Sequence, residues 1–337
     1  MEHSVPAAAR PLAQPAHPAQ PASVAPARSS WLQSRPAIAG LVLLVVAALV
    51  PLVGSGYVLG LLTVAFYTAV FAMSWDLLFG FAGEVNFGPT FLIGLGAYTA
   101  GIMDARLAPQ VSLWVCVVAG AVMAVIGGVL LALPALRVRG PYFGLTTLVA
   151  VLILQNMVVV FAGFTGGEIG LSVPDVISVD ATTNYWIAFG FMAVSGAILY
   201  GLSRSPVGLV LQASGQDPIQ AGALGFNVTK HKLFAFIVSA FFSGLSGALM
   251  VFYMGTASVG TFIDIAVGVQ IIVAAVLGGR RTVLGAAIGA VFLIGMGEAL
   301  RPLGELATLL VSVIALIVVL FFPNGFLGML QRKADRG

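Results

Sequence analysis

The side chains in this sequence that could do chemistry are few and badly spaced for it. Its three histidines stand at His3, His17 and His231, and no H-E-x-x-H run is present, so no zinc site can be assembled from them. The single cysteine, Cys116, lies in an apolar run, which excludes a disulfide framework and a thiolate metal site and reads as a small buried residue. A serine nucleophile would need a histidine base, yet the only histidine outside the N-terminal segment, His231, sits between Lys230 and Lys232 at the edge of an apolar run. There is no G-x-x-x-x-G-K-[ST] loop to cradle a nucleotide's phosphates. No cofactor and no catalytic residue is therefore expected, and the chemistry left open is transport, with any energy supplied by another chain.

For transport, the informative residues are polar ones in apolar surroundings. Asp76, Glu84, Asp264 and Glu298 all fall near the ends of apolar runs, where pairing or snorkelling accounts for them, and a proton-coupled carrier would place acids in mid-span. Gln155, Asn156 and Gln270 lie deeper and either line a path or hydrogen-bond neighbouring helices. Between residues 80 and 98 (GFAGEVNFGPTFLIGLGAY), five glycines and Pro89 interrupt helix continuity around Glu84, Asn86, Gly88 and Thr90. Such a break reads either as a discontinuous helix beside a translocation path or as a tight turn between two helices.

A second polar stretch, 203–232, contains a short helix of its own. Asp217 is a good N-cap, Pro218 suits the first turn, and Gly225 supplies the stop. The residues from Asp217 to Gly225 and the following Phe226 thus form a bounded helix between two apolar runs, which calls for something to touch.

The elements that must position these residues follow from composition. Of 337 residues, 60% are hydrophobic and 8% charged, which no soluble domain of this size tolerates at its surface, and 41 glycines suit close helix packing in lipid. The expected architecture is an all-α polytopic bundle. Runs long enough to cross the hydrocarbon core can be placed at 37–53, 57–79, 87–103, 111–133, 142–163, 185–202, 233–254, 262–279, 284–300 and 303–322. That makes ten spans, reduced to eight or nine if 87–103 or one of the last two does not cross.

Placing the N-terminus inside puts thirteen of the fifteen Lys and Arg residues on the cytoplasmic side, leaving only Arg106 and Arg301 outside. The loop from 165 to 184, with Glu168, Asp175 and Asp180 and no basic residue, then lies outside, both termini inside, and 203–232 in the cytoplasm. Residues 1–36, rich in Ala, Pro, Gln and Ser, read as a disordered cytoplasmic tail, 37–330 as the membrane domain and 331–337 as a second tail. A cleaved signal peptide is not expected, since the first apolar run leads directly into further spans.

Three separated blocks resemble the permease subunits of bacterial ABC importers of the branched-chain amino acid type, in particular the M-type partner of the two homologous permeases. Gly80 to Tyr98 looks like that family's G-x-A-G-x-x-x-x-G…GAY block. Ala223 to Leu245, followed by Gly247, Ala248 and Leu249, is similar to its loop-to-helix signature, and Phe322 to Gly325 with Leu327 and Gly328 resembles its closing segment. Arg137 to Gly140, Leu277 to Gly279 and Leu284-Gly285 match weaker blocks, so the resemblance spans roughly residues 38–330.

It implies a multi-pass bacterial inner-membrane protein that assembles, within membrane lipid, with a homologous second permease, two ATPase subunits and a periplasmic solute-binding protein. Nucleic acid is not among the expected partners. It also implies that Asp217, Pro218, Ile219, Gln220, Ala221, Gly222, Ala223, Leu224, Gly225 and Phe226 form a coupling helix docking on an ATPase, and that the solute is a branched-chain amino acid or a related amide, urea or aromatic acid. The chain departs from the family's pattern in carrying Gln212, Gly215, Gln216, Pro218 and Gly222 where charges are usual, and Glu84, Asn86 and Pro89 where Gln, Ser and His are more usual. The rival readings are an ion-coupled secondary carrier acting alone and an intramembrane enzyme.

Overall fold

A computed structural model of the chain describes residues 44–52, 54–136 and 142–304 and, singly, 306, 309, 310, 313, 316 and 325. Among the described residues, twelve α-helices with both limits defined run in chain order: α1 (Gly56–Asp76), α2 (Pro89–Leu107), α3 (Leu113–Ala135), α4 (Tyr142–Val160), α5 (Ala162–Thr165), α6 (Ala181–Arg204), α7 (Pro206–Gln216), α8 (Pro218–Ala223), α9 (Val228–Met254), α10 (Val259–Phe262), α11 (Ile265–Gly278) and α12 (Val283–Leu300). Residues 44–49 are also helical. Seven of the described helical segments are long and apolar enough to cross a membrane, and α2, at 19 residues, packs lengthwise among them. The protein is thus an all-α polytopic membrane protein. The first expected span is described only over 44–52 and the span expected at 303–322 only at 303, 304, 306, 309, 310, 313 and 316, while both tails, Arg137 to Gly140 and all of the closing block but Gly325 lie outside the described residues.

Helix limits follow capping more closely than hydropathy. Asp180 Oδ2 accepts from Thr183 N at 2.8 Å and starts α6 at Ala181, four residues before the apolar run. Asn227 Oδ1 accepts from Lys230 N at 3.0 Å, so α9 begins at Val228 and takes Lys230, His231 and Lys232 into its first turns. Asp264 caps α11 through Ala266 N at 2.7 Å, which explains that acid without a transport role.

The helix α9 forms the centre of the bundle, packed on α2, α3 and α1, while α1 also carries α12, α6 and α11. Small residues let the backbones meet. A Cβ at Gly120 of α3 would lie 2.5 Å from the Gly96 carbonyl of α2, and one at Gly247 of α9 would lie 2.5 Å from the Ile93 carbonyl of α2.

The connections sort to two ends. At one, residues 255–257 meet 171–173: Leu171 pairs with Ala257 and Ser172 with Thr256 in a two-stranded antiparallel ladder. The same end holds Asp104, whose Oδ2 accepts from Asp175 N at 3.1 Å, and a cluster of Tyr57, Glu298 and Arg301. The other end gathers residues 77–88, the α6–α9 connection and the α11–α12 loop. The acidic loop and the polar stretch 203–232 therefore lie at opposite ends.

Candidate functional site

After Asp76 the α1 backbone widens into a π-helical turn, Leu77–Phe81, and stops at Gly83, whose φ of +75° suits a residue without Cβ. The chain then runs non-helically to Gly88, where Pro89 opens α2. Every step of this break is held. Trp75 Nε1 donates to Asn86 O at 2.6 Å, Asn86 Oδ1 accepts from Gly88 N at 2.8 Å, and Phe87 N donates to Thr147 Oγ1 of α4 at 3.0 Å. The hydroxyl of Thr147 in turn donates to Gly144 O at 2.7 Å. Asn86, Gly88 and Thr90 are buried by this packing. The break is thus a discontinuous helix junction set in protein, held by Trp75 and Thr147, which the sequence pattern did not single out.

Glu84 points instead toward the start of α9. Its Oε1 lies 2.5 Å from Lys232 Nζ, with the side chains 18% and 12% exposed respectively. One residue earlier, the backbones of Gly83 and Gly215 meet so closely that a Cβ on Gly83 would come within 2.7 Å of Gly215 O, and one on Gly215 within 2.6 Å of Phe81 O. The break is therefore joined to the last turn of α7 by backbone contact and to the first turns of α9 by an ion pair. Beside it, buried Asp76 accepts from Arg281 N at 3.1 Å, and Arg281 Nε donates to Gly80 O at 3.0 Å. Arg280 lies over the Phe79 ring at 4.5 Å; burial there, then repulsion from Arg281, lowers its guanidinium pKa, against an opposing pull from Asp76.

Between the two partners of this joint, α7 and α8 form a compact pair. Helix α8 is the one expected from the sequence: Asp217 Oδ1 accepts from Ile219 N at 2.9 Å and Gln220 N at 3.0 Å, Pro218 occupies the first turn, and Gly225 adopts φ +89°. Helix α7 went unrecognised, although Ser205-Pro206 carries the same cap-then-proline grammar and Ser205 Oγ accepts from Gly208 N at 3.3 Å. Of the residues from 218 to 226, Ala221 alone is buried; Ile219 and Leu224 are 83% and 75% exposed, with Phe226 exposed beside them.

The remaining polar candidates flank α2 from two sides. Gln155 and Asn156 belong to α4 and Gln270 to α11; around Gly94 of α2 stand Leu154 and Ile263, and Gly268 packs on Pro89 and Thr90. Asn156 and Gln270 are exposed and Gln155 half-buried. No interhelical bond joins them among the described residues: Asn156 Nδ2 donates to Leu152 O of its own helix at 2.7 Å. Among the described residues no hydrogen bond joins them to Glu84, Asn86, Gly88 or Thr90, and Asn156 and Gln270 lie exposed on the outer side of the bundle.

The site is thus a glycine-broken helix joined to an exposed, capped helix at one end of a helical membrane bundle. Residues 57–323 match the family described as branched-chain amino acid transport system / permease component, and the chain belongs to that family. It is 25% identical to the high-affinity branched-chain amino acid transport system permease protein LivM of Salmonella typhimurium, covering 85% of this chain and 74% of the relative. The corresponding LivH of the same organism is 25% identical, over 77% of this chain and 91% of its own length. The ribose import permease protein RbsC of Haemophilus influenzae is 30% identical over 41% of this chain and 40% of its own. No solved structure matches.

Proposed function

We propose that this chain is one of two homologous permease subunits of an ATP-driven importer in a bacterial inner membrane, working with two ATPase chains and a periplasmic solute-binding protein. The solute is a branched-chain amino acid or a related small polar organic molecule, such as an amide, urea or aromatic acid. The observation that carries the reading is the α8 surface, a rigidly capped helix presenting Ile219, Leu224 and Phe226 outward. Three large apolar side chains left exposed within residues 219–226 favour a contact with another protein.

On this reading α8 lies in the cytoplasm, both termini lie inside and the chain spans the membrane ten times. ATP binding closes the ATPase pair and displaces α8; the Gly83–Gly215 contact and the Glu84–Lys232 pair pass that displacement to the start of α2. The path runs along the outer face where Gln155, Asn156 and Gln270 flank α2, closed on its far side by the second permease. The motion requires only that the two states bind ATP with different affinity.

The test is solute-stimulated ATP hydrolysis by the assembled complex. Leu224→Asp puts a charge into the docking patch and is expected to abolish stimulation while membrane insertion is kept. Normal stimulation in this variant removes the docking assignment. An ion-coupled carrier is the rival, and uptake by this chain alone, driven by an ion gradient in vesicles without ATPase chains, would establish it.

A further inference from the structure

At the end of the bundle that carries α7 and α8, a pocket of about 380 Å³ opens between the end of α6, the side of α7 and the start of α12. Two arginines line it, Arg204 and Arg281, together with Ser203, Gln212 and Thr282. The guanidinium of Arg204 lies over the Tyr200 ring at 5.3 Å, and that of Arg281 is oriented by its Nε bond to Gly80 O at 3.0 Å. Neither guanidinium is ion-paired with an acid among the described residues, and none of the lining residues is acidic. Helix α12 begins in the same pocket at Val283; Thr282 uses its hydroxyl on Gly279 O rather than on the helix's first N–H groups. Two cationic side chains and the positive end of an 18-residue helix thus converge on one polar pocket.

A separate observation says what kind of anion fits. Tyr200 and Leu284 also line a second cleft, of about 300 Å³, that runs from this pocket between the helical segment 44–50, α1, α6 and α12 and is walled almost wholly by apolar side chains. It extends from Tyr200 to Met192 along α6 and from Leu284 to Val291 along α12, roughly 10–12 Å at 1.5 Å per residue. A basic pocket at this end of the bundle, continuous with an apolar furrow, is complementary in shape and charge to an anionic phospholipid. We propose that this surface binds an anionic phospholipid of the adjoining leaflet, its phosphate between Arg204 and Arg281 and an acyl chain along the cleft. Residues 1–43, with Arg10, Arg28 and Arg35 against Glu2, and 331–337, with Arg332, Lys333 and Arg336 against Asp335, carry a net positive charge and so do not neutralise the pocket.

The full chain, equilibrated in mixed micelles with phosphatidylglycerol or with phosphatidylcholine of the same acyl chains, is read by native mass spectrometry for retained lipid. Phosphatidylglycerol is expected to be retained in preference. Arg204→Gln with Arg281→Gln is expected to weaken its retention about thirty-fold, roughly five-fold for each charge, and the Lys/Lys pair is expected to restore most of it. Ala197→Phe, which fills the apolar cleft and leaves both arginines in place, is expected to weaken retention independently. Millimolar inorganic phosphate is expected to leave the lipid bound. Equal retention of the two lipids, or unchanged retention in both the Gln/Gln and Ala197→Phe variants, overturns the proposal. Displacement by inorganic phosphate reassigns the pocket to a soluble anion, and loss of the lipid when the second permease is present reassigns the cleft to a subunit contact.

Discussion

The Glu84–Lys232 pair is where the proposed coupling can be broken without touching either the docking patch or the outer face of α2. Its atoms stand 2.5 Å apart with side chains 18% and 12% exposed, so it belongs neither with surface pairs, worth up to about 1 kcal/mol, nor with fully buried ones, whose disruption costs about 3–5 kcal/mol. About 2 kcal/mol is the fitting magnitude, close to thirty-fold in an equilibrium constant at 25 °C. If the pair helps carry α8 motion to α2, Glu84→Gln or Lys232→Met is expected to lower solute moved per ATP hydrolysed by at least about ten-fold, while the complex still assembles through the intact α8 surface. The assay is uptake and ATP hydrolysis measured in the same proteoliposomes, with both permeases, the ATPase chains and the binding protein present. Exchanging the charges, as Glu84→Lys with Lys232→Glu, is expected to recover most of the ratio, giving a non-additive double-mutant cycle of about 2 kcal/mol. Single variants with normal solute-to-ATP ratios, or an exchanged pair no better than either single, would refute the reasoning and leave the ion pair a local tie.

Two further outcomes follow from α8 itself. Asp217→Ala removes a carboxylate that accepts two backbone N–H groups, and loss of such a cap costs about 1 kcal/mol; hydrogen exchange at Ile219 and Gln220 is expected to accelerate several-fold with the bundle helices unaffected. Because the exposed patch of Ile219, Leu224 and Phe226 is apolar, with each side chain contributing about 1.5–3 kcal/mol when fully buried, association with the ATPase chains is expected to be nearly independent of salt. A steep fall in affinity with ionic strength, measured by titration of the complex, would contradict docking by shape.

Much of this bundle was legible because the cues are local. Apolar runs located the described long helices to within a few residues, and Asp217-Pro218 with Gly225 fixed α8 by cap chemistry. Where limits shifted, a cap outweighed hydropathy: Asn227 draws charged Lys230 and Lys232 into α9, and Asp180 starts α6 before its apolar face begins. Helix α7 was missed because it is short and lies within the polar stretch between two apolar runs, where only Ser205-Pro206 marks its start. The site was harder to read. That 80–88 is a break could be seen from its glycines, but that it meets α7 and α9 could not, because Gly83–Gly215 and Glu84–Lys232 join residues more than a hundred positions apart. Gln155, Asn156 and Gln270 gave no sign of facing outward, since polarity alone does not say which side of a helix is covered.

The joint also accounts for how little charge the connection between α6 and α9 contains. From Pro206 to Phe226 the only ionisable residue is Asp217, and its carboxylate is committed to the N-terminus of α8. A side chain of any kind at Gly215 would hold the α7 backbone away from Gly83, and a charged one would also need water or a partner at a place closed by Phe81 and Ala82. Charges stand at the two ends instead, and two of them lie against a group from elsewhere in the chain or from their own helix: Arg204 over Tyr200 and Lys232 on Glu84. Such a connection is fixed at its base by electrostatics and backbone contact and apolar at its tip. On the importer reading that division is mechanically useful, because the tip can seat by shape against a partner while the base resists slipping relative to α2.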